Sequence, residues 1–244
     1  MGRVRSHNED TYLLREDLGL FLVADGMGGH QAGDVASAMV RLSMGDFFEV
    51  TQNGEWDAFF SLPEDAHLPR AGQRLAAAIR KANQDVHEAA ADHLEHHGMG
   101  STVVALHIPR DGEDLFIAHV GDSRCYRIRD KALELLTRDH SLVNEALALD
   151  PSLSPEDLSR LPPNIITRAL GVDEDVMVDI ARTDMKDGDT YLLCSDGLSG
   201  LISSAEIVEA LSLVDDASEV CDLLVALANE AGGEDNITAL ALRL

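Results

Sequence analysis

Three runs of strand-forming apolar residues each end on an aspartate: Leu20-Phe21-Leu22-Val23-Ala24 at Asp25, Phe116-Ile117-Ala118-His119-Val120-Gly121 at Asp122, and Tyr191-Leu192-Leu193-Cys194-Ser195 at Asp196. A mirror-image pattern closes the chain, where Asp235-Asn236 leads into Ile237-Thr238-Ala239-Leu240-Ala241-Leu242. Strand ends are where a rigid sheet can hold several side chains at one point, so acids placed there repeatedly point to carboxylates converging on one site. A lone Asp-Gly after a strand is only what a tight turn uses, whereas four such features with glycine or asparagine beside them favour the joint reading. Converging carboxylates repel one another. Unless they share protons the remedy is a bound cation, and an all-oxygen ligand set selects hard ions such as Mg2+ or Mn2+. Glycine beside a ligand lets a backbone carbonyl approach an ion, which makes Gly26 a candidate to offer its own oxygen.

Composition narrows the classes. The formal net charge of -25 opposes docking on nucleic acid or anionic lipid. No apolar run approaches the roughly 20 residues needed to span a bilayer, and the polar Ser6-His7-Asn8-Glu9-Asp10 that follows the N-terminal arginines is not a secretory h-region. The three cysteines, Cys125, Cys194 and Cys221, form no Cys-x-x-Cys pair, so neither a disulfide framework nor a zinc site is indicated and a reducing cytoplasm fits.

Pattern predicts strands near 11–14 and 18–24, a helix over 32–48, a loop-like stretch over 52–68, and a second helix over 71–97 stopped by Gly98. A hairpin follows, 102–108 and 114–120, joined by Pro109-Arg110-Asp111-Gly112-Glu113 with an Asp-Gly turn. Strands are expected over 124–129, 132–136, 176–181, 189–194 and 237–243, and helices over 204–213 and 216–231. The polar stretch from Thr137 to Pro163, with short helical pieces over 141–149 and 154–160, is a flap candidate. Strands joined by short turns and helices arriving in pairs argue for α+β rather than a doubly wound parallel sheet.

Near the N-terminus Arg5-Ser6-His7-Asn8-Glu9-Asp10 sets a guanidinium and two carboxylates just before a strand. Arg5 offers a fork for phosphate, and Glu9 and Asp10 are placed to reach water on a metal; a solvated surface turn is the plain alternative. His93, His96 and His97 suit a polar helix end better than a metal site, and His140 suits a turn as well as a substrate contact. There is no Gly-x-Ser-x-Gly elbow and no Gly-x-x-x-x-Gly-Lys-Ser/Thr loop.

Taken together, Arg5-x-x-Asn8-Glu9-Asp10, Val23-Ala24-Asp25-Gly26-Met27-Gly28-Gly29-His30, Gly100-Ser101-Thr102, His119-Val120-Gly121-Asp122-Ser123-Arg124, Leu136-Thr137-Arg138-Asp139-His140-Ser141, Ile166-Thr167-Arg168-Ala169-Leu170-Gly171, Cys194-Ser195-Asp196-Gly197-Leu198 and Gly233-Glu234-Asp235-Asn236-Ile237-Thr238 resemble the metal-dependent protein phosphatase 2C family in its bacterial single-domain form. The resemblance runs through nearly the whole chain. It implies one catalytic domain over 1–244, folded as an α-β-β-α sandwich of two mainly antiparallel sheets flanked by helix pairs. It also implies a site for two Mg2+ or Mn2+ ions, with Asp25 bridging, Gly26 giving a carbonyl, Asp196 and Asp235 completing the direct ligands, and Glu9 and Asp10 acting through water. A third, weaker ion maps onto Asp122 with Asp196, near the flap.

On the same resemblance Arg5 holds the substrate phosphate, and Arg5, Asp25 and Asp196 carry catalysis. A water acidified by two Lewis acids attacks phosphorus in line, without a protein nucleophile. Some relatives place a histidine directly after the Asp-Gly pair; Met27 stands there, which moves leaving-group protonation to a metal-bound water. The family's strand ahead of Gly-x-x-Arg has no counterpart before Met1-Gly2, an expected source of an unpaired strand edge and a looser Arg5. The implied substrates are phosphoserine and phosphothreonine in cytoplasmic proteins, including a bacterial Ser/Thr kinase, with a monomeric enzyme and no nucleic acid or membrane partner. Spacing alone reaches only a hard-metal phosphoester hydrolase. A phosphoprotein-binding module without turnover and a purely structural cation site are the alternatives.

Overall fold

The structure is a computed structural model; it describes residues 1–28, 32–110, 112, 114–162 and 164–244, with Ala58 described by its backbone alone. Two antiparallel sheets lie face to face. The first takes β1 (Asp10–Arg15), β2 (Leu20–Met27), β4 (Val103–His107), β5 (Asp114–Val120) and β8 (Asp179–Asp184) in the spatial order 1-2-4-5-8, with the two-residue β3 (Gly100–Ser101) on the end of β2. The second takes β6 (Arg124–Arg129), β7 (Ala132–Leu135), β9 (Thr190–Cys194) and β10 (Ala239–Arg243) in the order 10-9-6-7.

The run at 20–24 shows no polar alternation because both faces of β2 are covered. Leu20, Leu22 and Ala24 pack against α1 (Ala32–Val50) and α2 (Arg70–Asp92), together with Val40, Met44, Phe48, Leu75, Ile79 and Val86. Phe21 and Val23 point the other way and meet Cys125, Tyr191, Leu193 and Leu240 of the second sheet. Leu192 and Cys194 of β9 turn outward onto α6 (Ser204–Leu213) and α7 (Ala217–Glu230), where Ile207, Leu211, Val220 and Leu224 close the outer layer. The layers therefore run helices, sheet, sheet, helices, as the resemblance implies. Capping starts the second helix pair: Ser203 and Glu206 form a reciprocal capping box, and Asp216 accepts from the N–H groups of Ser218 and Glu219.

Several boundaries differ from the sequence pattern. The second helix ends at Asp92 rather than His97, because His93 is extended and a 3-10 turn over Leu94–His96 carries the chain to Gly98, whose φ of +81° makes the exit. The strand expected at 176–181 pairs only from Asp179, opposite His119, while Val176 and Val178 bury their side chains without a ladder. Within 52–68 the chain makes two 3-10 turns, Ala58–Phe60 and Pro63–His67. The Asp-Gly turn expected in the hairpin, the His30 of the Gly-rich motif and the Pro163 end of the flap lie outside the described residues. The flap carries α3 (Leu142–Leu149) and α4 (Pro155–Leu158), neither of which buries a residue. Its base is closed by Ser141 against Ile166 and by the Thr167 N–H on the His140 carbonyl at 2.9 Å.

Candidate metal centre

The antiparallel register of β1 and β2 sets Asp10 opposite Asp25. At the same end of the sandwich β9 runs out into Ser195 and the one-turn helix α5 (Asp196–Ser199), and the loop before β10 supplies Asp235 and Asn236. The two sheets are joined there by hydrogen bonds. Ser195 Oγ donates to Asp10 Oδ2 at 2.7 Å and accepts from the Thr238 N–H at 3.1 Å, and the Ser195 N–H reaches the Thr238 carbonyl at 3.1 Å. Asn236 Oδ1 accepts from the Glu9 N–H at 2.7 Å while its Nδ2 donates to the His7 carbonyl at 2.8 Å. Thr102 and Ser101 fix the other flank: the Thr102 N–H and Ser101 Oγ both donate to the Asp25 carbonyl, at 2.8 and 3.0 Å, and Thr102 Oγ1 lies 2.8 Å from Ser123 Oγ beside Asp122.

Glycine is required where these segments cross. A Cβ on Gly26 would stand 1.9 Å from the Gly33 carbonyl oxygen, and one on Gly197 would stand 2.0 Å from that of Asn236. Gly121 adopts φ +104° and would drive a Cβ into Thr102, so the turn that presents Asp122 is open to glycine alone.

The acids so gathered disturb one another's titration. Burial, then the charges of Asp10 and Asp196, push Asp25 well above the usual carboxylate range. Asp10 and Asp196 are raised as well, Asp10 by burial against the opposing bonds from Thr238 and Ser195, Asp196 by burial and the charge of Asp235. Asp122 is pushed up to about 7 by burial and then by the charges of Asp196 and Asp139. Glu9 rises through burial. The cation in direct contact is Arg5, whose Nη2 donates to Asp235 Oδ2 at 2.7 Å while half of its side chain stays exposed. Its backbone is guided in by the Arg3 and Val4 N–H groups, both on the Gly233 carbonyl.

All the expected site residues, Arg5, Glu9, Asp10, Asp25, Gly26, Asp122, Asp196 and Asp235, thus come to one end of the sandwich. The donor set is oxygen throughout, and buried Oδ1 atoms of Asp10, Asp122 and Asp196 have no hydrogen-bond partner. Buried, unpartnered carboxylate oxygens among mutually repelling acids are what a hard divalent cation would satisfy, so the residues fit Mg2+ or Mn2+. Sequence reasoning missed Asp34. It lies in the first turn of α1, its charge acts on Glu9, and its Oδ1 is also buried without a partner. The signal was Gly33-Asp34 directly after the glycine-rich segment. Ser195 and Asn236 were visible only as neighbours of acids.

Among the described residues, the one group that brings three ligand atoms within 4.8 Å of one another is a different one, His119, His140 and Asp179. Its polar groups are already engaged. His140 Nδ1 accepts from the Gly121 N–H at 3.0 Å, His119 Nε2 meets the Arg138 carbonyl at 2.8 Å, and the guanidinium of Arg168 donates to Asp179 at 2.8 Å. A cation is already bonded to the acid of that corner, whereas among the described residues the cation bonded directly to the acid cluster is Arg5, on its rim. The wider spacing of the acids suits a two-ion site completed by water better than a single closed cage. His140 therefore serves the turn role, and His93, His96 and His97 do not assemble three ligand atoms.

The family model for protein phosphatase 2C matches residues 3–240. The serine/threonine phosphatase stp of Listeria monocytogenes is 38% identical over 243 residues, covering 98% of this chain and 91% of the relative. Among solved structures, the Mycobacterium tuberculosis serine/threonine phosphatase PstP/Ppp superposes with a TM-score of 0.82 at 33% identity, covering 100% of this chain and 95% of that one. The catalytic domain of the phosphatase PstP, solved in complex with two manganese ions, superposes with a TM-score of 0.79 at 33% identity over 98% of this chain and 93% of that one. The two-sheet sandwich, the acids at its end and these full-length matches agree: the chain belongs to the protein phosphatase 2C family.

Proposed function

We propose that the acid cluster is the catalytic centre of a protein-serine/threonine phosphatase that uses Mg2+ or Mn2+, and that residues 1–244 act as one catalytic domain. The observation that carries this reading is the set of buried, unpartnered Oδ1 atoms of Asp10, Asp122 and Asp196 around Asp25, with Arg5 as the neighbouring cation. Asp25, the Gly26 carbonyl, Asp196 and Asp235 would hold the ions directly, Glu9 and Asp10 through water, and Asp122 with Asp196 a third; Asp34 joins the Glu9 side. Ions in this cradle supply Lewis acidity and a water acidic enough to attack phosphorus.

The chain's own groups do the rest. Arg5 spends Nη2 on Asp235 and keeps its remaining N–H donors for phosphate oxygens, where a fork geometry offsets charge that builds up in the transition state. Among the hydroxyls around the cluster, Ser195 bonds a carboxylate but is fully buried, donating to Asp10 and accepting from the Thr238 N–H. It is a brace and not a nucleophile. Hydrolysis therefore proceeds without a phosphoenzyme, and a trapped phosphoserine at position 195 would contradict this.

Substrates are phosphoproteins of the cytoplasm, a Ser/Thr kinase among them, met by a monomer. No helix of the described residues is long and apolar enough to cross a membrane, and the net charge of -25 disfavours polyanions. Turnover of a phosphothreonine peptide with Mn2+, with chelator, and with Asp196→Asn tests the reading. Turnover abolished by chelator and by the variant supports the enzyme. Binding without turnover would indicate a recognition module, and Mn2+-dependent melting with neither would indicate a structural ion.

A further inference from the structure

At the opposite end of the first sheet from the acids, the segment after α1, the start of α2 and the link that follows β4 line an open pocket of about 290 Å³. Trp56, Arg70, Arg74, His107, Arg110 and Asp17 are among its walls. His107 Nδ1 bonds the Gly19 carbonyl, and the six strand residues from Leu20 to Asp25 put the pocket roughly 20 Å from the metal centre.

In a chain of net charge -25, three guanidiniums here have no carboxylate partner among the described residues. Arg70 gives Nε and Nη2 to the Gly54 carbonyl, Arg74 gives Nε to Thr51 Oγ1 and Nη2 to the Phe48 carbonyl, and Arg110 gives Nη2 to the Asp17 carbonyl. A guanidinium carries five N–H donors, so each keeps donors in reserve. Asp17 is the acid in the wall, and its carboxylate is taken by Nε and Nη2 of Arg15. Two of the cations are held in place by aromatic faces: Arg70 lies 3.5 Å from the Trp56 ring centroid and Arg74 lies 4.2 Å from that of Phe48. Burial alone lowers the Arg74 pKa, with no carboxylate bonded to it among the described residues. The first turn of α2 adds to this, since it holds no acid, Pro69 provides no side-chain cap, and Ala71 of that turn lines the pocket.

Positioned forks with spare donors, beside an uncapped helix start, suit a compact polyvalent oxyanion. The field of the whole molecule, at net charge -25, opposes nucleic acid and anionic membranes. We propose that this pocket is an accessory phosphoryl-binding site, separate from the catalytic centre, that takes one phosphoryl group, either free orthophosphate or a phosphorylated side chain.

Trp56 is the one tryptophan of the chain, so its fluorescence reports on this pocket alone. The full chain is titrated with orthophosphate at constant ionic strength set by KCl, and, as Asp196→Asn to prevent turnover, with a phosphothreonine peptide. A saturable change is expected, with affinity at least fivefold weaker in Arg110→Ala and partly restored in Arg110→Lys. Arg110 is exposed and bonds one carbonyl, so both variants keep the fold. Saturation by peptide below the concentration needed for orthophosphate identifies the phosphorylated side chain as the source; saturation by orthophosphate alone identifies the free ion. No saturable change with either, an equal change with KCl alone, or unchanged affinity in Arg110→Ala overturns the proposal. Because the reporter is remote from the acids, its silence and a loss of turnover are separate results.

Discussion

Asp122→Asn is a substitution whose sign reverses with pH and with metal. In the metal-free chain Asp122 titrates at about 7 against an ordinary 3.8. Below 3.8 the folded and unfolded chains both hold the proton, and its contribution does not change. Between 3.8 and 7 the unfolded chain releases the proton while the folded chain keeps it, so stability falls as pH rises; above 7 the loss is complete. At about 1.4 kcal/mol per tenfold in proton affinity, the full penalty is roughly 4 kcal/mol at pH 8. An amide at this position has no charge to lose but buries an NH2 group, which returns part of the gain. We expect the metal-free variant at pH 8 to be about 2 kcal/mol more stable than the parent, a rise of roughly 4–8 °C in melting temperature. At pH 4 the parent's penalty shrinks to about 0.5 kcal/mol while the cost of burying the amide remains, so the variant should be about 1.5 kcal/mol less stable than the parent and melt a few degrees lower. Saturating Mn2+ should invert the order, since the parent gains a cation at Asp122 and the variant does not. Melting by circular dichroism in chelator and in Mn2+, at both pH values, reads all four cases. A variant that is equally destabilised at pH 4 and pH 8 in chelator would refute the claim that repulsion and burial act on Asp122.

Three further outcomes follow from contacts already described. Arg5→Lys removes a half-exposed pair and should change stability by less than about 1 kcal/mol. It should raise KM for a phosphopeptide roughly tenfold, because an ammonium lacks the fork; an unchanged KM would detach Arg5 from phosphate binding. Ser195→Ala leaves Asp10 Oδ2 and the Thr238 N–H without their shared partner, and should cost about 1–3 kcal/mol in chelator, measured by urea unfolding. Gly26→Ala places its Cβ 1.9 Å from a backbone oxygen and should cost more than about 3 kcal/mol. Gly45→Ala, in α1 with its nearest neighbour at 3.6 Å, should be neutral or stabilising; equal losses at both positions would show that the crossing at Gly26 is not special.

The layered fold was legible because the sheets are buried on both sides. The run at Leu20–Ala24 reads as a strand, which the structure covers on both faces, and the three- and four-residue spacing of Leu75, Ile79, Ala82 and Val86 marks a helix that covers it. Asp25, Asp196 and Asp235 were legible for the same reason, each standing at a strand end beside glycine or asparagine. What local pattern could not show is which distant groups hold those acids. Ser195 reaches Asp10 across 185 positions and Asn236 reaches Glu9 across 227, and neither bond leaves a mark on its own neighbourhood. The arginine pocket was hidden likewise, since Arg74 falls among the polar positions of the second helix, Arg70 just before its expected start, and Arg110 in the hairpin connection. Strand β8 was misplaced because Val176 and Val178 alternate like a strand while the ladder waits for a partner on β5.

Crystals grown with Mn2+ and measured at the manganese absorption edge would locate the ions directly. Anomalous peaks should stand beside Asp25, between Asp196, Asp235 and Glu9, and be lost in Asp25→Asn together with phosphopeptide turnover. Peaks on His119, His140 and Asp179 with none among the acids, or full turnover from crystals and solutions that bind no ion at Asp25, would contradict the assignment.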